Sequence, residues 1–166
     1  MSVNGAMIRI SPAELDWFRV ADEEAIEEKT EDWFWSDAPR ALNFAKRYAG
    51  VHFLLTGIDH SEEVDGPLSF LGNQSYGENL SYEFSYGPAR VFPPQAVHEI
   101  QRALEALSAE VVAQRLHDPA LAEVYPFAIR GLDDEDRQSL EQLLAESREY
   151  IAATAAAGDA LMVAIF

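Results

Sequence analysis

The 166 residues predict an α+β fold, a small mixed or antiparallel sheet packed by several helices. Three observations lead there. Short apolar, β-branched runs stand at the start, middle and end of the chain, near residues 6–10, 89–92 and 160–165. Stripes of apolar residues at helical spacing separate them. The punctuation between is serine-proline, aspartate-proline and glycine, the residues that start and stop helices. With no internal repeat, low-complexity tract or linker, residues 1–166 read as one domain. A chain of this size buries enough surface to hold a core without staples.

Met7 to Ile10 is the first strand, and Ser11-Pro12 ends it. Ser11 is placed to cap a helix, Pro12 to occupy its first position and Glu14 to complete a capping box. That helix carries Leu15 and Phe18. Helix over Asp22 to Glu31 is opposed by like charges four apart, Glu23 with Glu27 and Glu24 with Glu28. Ala38 to Leu55 reads as one helix, with Leu42, Ala45, Ala49 and Phe53 as its apolar stripe and Gly57 as its C-terminal cap. Asp59 to Glu83 is rich in glycine, proline and asparagine and reads as loop, with one helical turn near Pro67 to Leu71. Ala89 to Phe92 is a strand, placed at a sheet edge or after a turn because Pro88 has no N–H to donate.

Pro93-Pro94 opens a helix with Val97, Ile100, Leu104 and Leu107 on one face. Ala109 to Leu116 is another helix, and Asp118-Pro119 repeats the capped start. Asp133 to Asp136 puts acid at the N-terminus of the last long helix, where the macrodipole favours it. Leu140, Leu143, Leu144, Tyr150 and Ile151 are its buried stripe, and Gly158 ends it. Ala160 to Phe166 is the closing strand.

Composition excludes several classes of function. The chain has no cysteine, so no disulfide, thiolate zinc site or cysteine nucleophile. The N-terminus has no signal-peptide pattern, and no apolar run approaches the ~20 residues of a membrane helix. A cytoplasmic location is expected. Acidic residues outnumber basic ones 29 to 12, net −17, which opposes nucleic acid and anionic membranes as partners. The acid is clustered: residues 12–37 hold ten acids and two bases, while residues 38–57 hold Arg40, Lys46 and Arg47 and no acid. Such blocks are either a solvated surface or a face that docks on a basic partner.

Two segments carry groups that a core does not need. His52 and Thr56 lie four apart, hence on one helix face. His52 is either a base or ligand contact, or a buried histidine satisfied by a carbonyl or carboxylate. Arg90 follows the Gly87-Pro88 turn. Its fork either holds a ligand carboxylate or phosphate, or pairs internally with a glutamate. Tyr86 flanks the same spot. Trp33, Phe34 and Trp35 form either a recognition patch or the lid of the N-terminal core. The histidines have no metal-ligand spacing, and Asp59-His60 with Glu62-Glu63 reads as a solvated loop, so neither a metal nor a cofactor is expected.

These segments also carry a resemblance. Met7 to Leu15, His52 to Gly57, Gly66 to Leu68, Tyr86 to Arg90 and Ala157 to Ala160 together are similar to the YfbM-like bacterial proteins, over nearly the whole chain. Ahead of the His-Phe segment the family tends to have an aspartate and a tryptophan, where this chain has Asn43 to Tyr48. The resemblance implies an α+β domain and an intracellular bacterial protein, and it implies no reaction. The expectation is a non-enzymatic acidic module that binds a basic protein, as an inhibitor or immunity-type protein does. The alternative is a small-molecule-binding protein or enzyme with a pocket between the His52 helix and the Tyr86–Arg90 turn.

Overall fold

A computed structural model describes residues 3–33, 40–72, 76–84 and 86–166. Five strands form one antiparallel sheet: β1 (Gly5–Ile10), β2 (Ala41–Ala45), β3 (Glu78–Phe84), β4 (Gly87–Phe92) and β5 (Ala160–Ile165), in the order β2-β1-β5-β4-β3. The fold is α+β. The wholly apolar β5 takes the centre, where both faces are covered, and five of its six residues are buried. The three strand runs read from the sequence are β1, β4 and β5, and two further strands flank them.

Seven α-helices are present among the described residues, and they cover both faces of the sheet. On one face, Ile8, Ile10, Val91, Met162 and Ala164 pack against Leu15 and Phe18 of α1 (Pro12–Val20) and Ile26 of α2 (Glu23–Thr30). On the other, Met7, Phe92, Leu161 and Val163 meet a larger layer. It is built from α3 (Tyr48–Thr56), α4 (Pro94–Ala106), α5 (Ala109–Leu116), α6 (Phe127–Arg130) and α7 (Asp134–Ala156). The alternation along each strand assigns side chains to faces. On β4, Phe92 and therefore Arg90 and Pro88 look toward α3, while Ala89 and Val91 look toward α1.

The helix starts follow the sequence closely. Ser11 accepts from the Glu14 N–H at 3.1 Å, and Glu14 accepts from the Ser11 N–H at 2.9 Å. Asp133 and Asp136 form the same reciprocal cap on α7. α2 forms despite its charge. Asp22 caps it, Ile26 and Thr30 are buried beneath it, and its glutamates point to solvent.

Two expectations are corrected. Ala38 to Leu55 is not one helix: Ala41–Ala45 is strand β2, and α3 begins only at Tyr48. The edge of β1 offers unpaired backbone groups, and β2 takes them, with Met7 opposite Leu42 and Ile8 opposite Ala41. Asn43 then accepts from the Ala45 N–H at 2.7 Å, and Ala45 turns with φ 49°, which ends the strand. Second, Glu78 to Phe84 is strand β3 rather than loop. Of the two placements expected for the Ala89–Phe92 strand, at an edge or after a turn, the second holds: β4 follows a turn. It lies between β5 and β3, and Pro88 is tolerated because it sits at the strand's start, beside the turn.

Candidate functional site

α3 sets the site. Tyr48, His52 and Thr56 recur every four residues and so share one face. Close approach at two positions of this row requires glycine. A Cβ on Gly5 would lie 2.6 Å from the Tyr48 Cβ, so only a bare backbone lets α3 settle on β1 there. The chain leaves α3 at Gly57, runs through His60 and the short 3-10 turn Pro67–Ser69, and returns over His52 at Gly72. A Cβ on Gly72 would lie 2.4 Å from the His52 Cε1. The imidazole is thus roofed by peptide backbone.

Above that roof lies a cleft of about 360 Å³, lined by Tyr48, His60, Gly72, Tyr86 and Tyr125 over an apolar floor of Val3, Leu71 and Ile165. A recess of about 40 Å³ adjoins it, sharing Gly72, Tyr86 and Ile165 and adding Gly87, Pro88, Arg90 and Val163. The α3 row, the Gly72 turn and the start of β4 therefore meet at one place.

His52 is fully buried. The Thr56 hydroxyl donates to the His52 carbonyl at 2.9 Å. With that proton committed, the imidazole Nε2–H donates to Thr56 Oγ1 at 3.3 Å. Nδ1 is left as an acceptor with no partner among the described residues. Burial, reinforced by His60 and Arg90, pushes the pKa of His52 down to about 4, so the ring is neutral at physiological pH.

His60 sits at the rim, its Nε2 3.5 Å from the Tyr48 hydroxyl and its Nδ1 3.4 Å from Asp59 Oδ1, the latter not aligned as a hydrogen bond. Burial holds His60 below its ordinary value against the pull of Asp59. Burial, with Tyr125, Asp59 and Tyr86 nearby, pushes Tyr48 up to about 12. The cleft therefore presents a neutral phenol and a neutral imidazole, groups that donate and accept hydrogen bonds without carrying charge.

Arg90 is only 5% exposed. Its Nη1 donates to the Tyr76 carbonyl at 2.9 Å and its Nη2 to the Phe70 carbonyl at 2.8 Å. The expected internal pair with a glutamate is not found. No carboxylate among the described residues meets this guanidinium, because the chain passing over it offers carbonyls instead. Burial alone pushes its pKa down to about 10, which leaves it charged.

Of the residues singled out in the sequence, Tyr86 lines the cleft, Arg90 lines the recess and His52 lies directly behind Gly72. Thr56 stands one turn away, bonded to His52 and to the Ile58 N–H, and does not line the cleft. Trp33 is remote from it. It is half-buried, edge-on to Phe18 and covered by the Arg40 guanidinium 4.5 Å from its ring centroid. It belongs to the N-terminal core rather than to an open patch. Trp35 lies outside the described residues, as does Phe34. Tyr48, His60, Gly72 and Tyr125 were not anticipated. The four-residue spacing that joins Tyr48 to His52 was the available signal.

A notch of about 410 Å³ between Arg47, Arg130 and Asp136 is larger; Arg130 and Asp136 form a two-bonded pair in it, while the buried Arg47 Nε has no hydrogen-bond partner among the described residues. Among the described residues no cluster of three potential metal ligands occurs, and no helix is long and apolar enough to cross a membrane.

Comparison with known proteins gives the same fold. The chain superposes with a TM-score of 0.71 on the crystal structure of a protein of unknown function, YfbM from Escherichia coli, at 18% identity, covering 98% of this chain and 99% of the other. No curated protein matches. A family model described as a domain of unknown function, DUF1877, matches residues 1–164. The chain belongs to this DUF1877 family.

Proposed function

We propose that the protein binds a small, flat organic molecule in the cleft between α3, the Gly72 turn and the start of β4. The observation that carries this reading is the lining. Three tyrosines and a histidine ring an apolar floor in a concavity of about 360 Å³, within the ~300–1,000 Å³ typical of ligand sites. Aromatic walls supply contact area at low entropic cost, and the phenol and imidazole fix orientation. Among the described residues, the side chains that face the cleft include neither a carboxylate nor a lysine, unlike the rest of so acidic a surface. The test is a ligand-observed NMR screen of small aromatic compounds against the wild type and Tyr86→Ala. Tyr86 is 42% exposed, so its removal leaves the core intact. Compounds that bind the wild type are expected to weaken about tenfold in the variant, as loss of an aromatic anchor does. Equal binding to both would overturn the reading.

A second reading rests on α2. Asp22, Glu23, Glu24, Glu27, Glu28, Glu31 and Asp32 are all exposed, a ridge of one sign fit to steer a basic protein to this face. It predicts a salt-sensitive complex that the quadruple change of Glu23, Glu24, Glu27 and Glu28 to Gln abolishes. A complex that survives that change is not held by the ridge. The cytoplasm is the compartment both readings suit.

A further inference from the structure

We infer that the molecule bound in the cleft carries a carboxylate, which Arg90 receives in the adjoining recess; this rests on the cleft being a small-molecule site. Arg90 is the one buried arginine among the described residues; Arg115 and Arg148 also donate to backbone carbonyls, but both are partly exposed. Five other arginines pair with carboxylates: Arg9 with Asp159, Arg19 with Glu78, Arg40 with Glu14, Arg130 with Asp136 and Arg137 with Asp134. All five are more exposed than Arg90, yet Arg90 meets only neutral carbonyls among the described residues. A guanidinium withdrawn from water without a countercharge is costly. In a chain with 29 acidic residues, internal countercharge is plentiful, and among the described residues the fold places none there. An anion from outside would supply it.

The direction of the side chain fits. Arg90 shares its face of β4 with Pro88 and lies opposite Val163 of β5, and both line the recess with it. Among the described residues no acidic side chain lines either the recess or the cleft. His52 behind Gly72 is neutral and adds no second cation. The recess is small, about 40 Å³, which favours a planar carboxylate over the bulkier phosphate. A guanidinium fork also matches a carboxylate in plane. The ring or chain that bears the carboxylate would then lie in the main cleft, between Tyr86 and His60.

The experiment uses three probes that share one ring and differ in charge: benzoate, benzamide and benzylamine. Each is titrated into the isotope-labelled full chain, and backbone amide shifts are followed. Benzoate is expected to move the amides of Gly72, Tyr86 and Gly87 and to bind about tenfold or more tighter than benzamide, as a charge-assisted bond requires. A net charge of −17 repels benzoate and attracts benzylamine, so a preference for benzoate has to arise locally. If benzamide or benzylamine binds the cleft as tightly as benzoate, the carboxylate inference falls and the cleft reading stands. If none of the three moves the cleft amides, both fall.

Discussion

Burial takes the proton from His52, and that has a consequence for stability. Its pKa in the fold is about 4, against 6.5 in the open chain. Between these values the unfolded chain binds the proton and the folded one does not. Stability therefore falls as pH drops through this window and is level above it. From about pH 7 to about pH 5 the loss attributable to His52 is about 2 kcal/mol. His60, also lowered by burial, adds in the same direction. The depressed carboxyls of Glu14, Asp59 and Asp136 act below their ordinary values of 4.5 and 3.8, so most of the upper window belongs to histidine. Urea unfolding at the two pH values checks this: the wild type should lose stability and His52→Leu should lose clearly less. An identical loss in both would show that His52 is not the titrating group. The sequence marked His52 by its odd company, an imidazole among Val51, Phe53 and Leu54. It could not show that the neighbour across from His52 is the backbone of Gly72, twenty residues on in the chain and brought back by a turn. The same holds for Arg90, whose carbonyl partners, Phe70 and Tyr76, lie in the stretch read as loop.

At the scale of elements, the contact between α3 and the Gly72 turn builds the wall between core and cleft. Gly72→Ala would drive a Cβ into a ring that is fully buried and has nowhere to go. Overpacking of this kind costs about 1–3 kcal/mol. In a His52→Ala background the ring is gone, and most of that cost should vanish. A double-mutant cycle by chemical denaturation should then show coupling of about 1 kcal/mol or more, while additive effects would place the strain elsewhere. Elements that begin with a chemical signal were legible: Ser11-Pro12 with Glu14, Pro93-Pro94 at the start of α4, Asp133 before α7. β2 was not, because Leu42, Ala45 and Ala49 satisfy a helical period, while Leu42 and Phe44 satisfy a strand period equally well. The decision lies with β1, which needs a neighbour. β3 carried its signal in plain view, since Leu80, Tyr82 and Phe84 alternate and all pack on one face, but the polar residues between them resemble those of the preceding loop.

Across the whole molecule, chemistry is divided between the two sides of the sheet. The acidic ridge of α2 belongs to the layer of α1 and α2, while the aromatic cleft opens on the side of α3 and β4. The two readings of function thus use different surfaces, and a variant on one face leaves the other untouched. Charge alone had pointed to the acidic side, because composition reports surfaces and says nothing of concavity. The cleft arises only when residue 3 and residues 48, 60, 72, 86, 125 and 165 are gathered by the fold, and no local pattern encodes that set. The central claim is that this gathered cleft, and not the charged notch at Arg47 and Asp136, is where small molecules bind. A crystal structure determined after soaking in a mixture of small aromatic compounds tests it most directly. Ordered compound is expected between Tyr48, His60, Tyr86 and Tyr125. Compounds found in the notch or scattered over the surface, with the cleft empty, would contradict it.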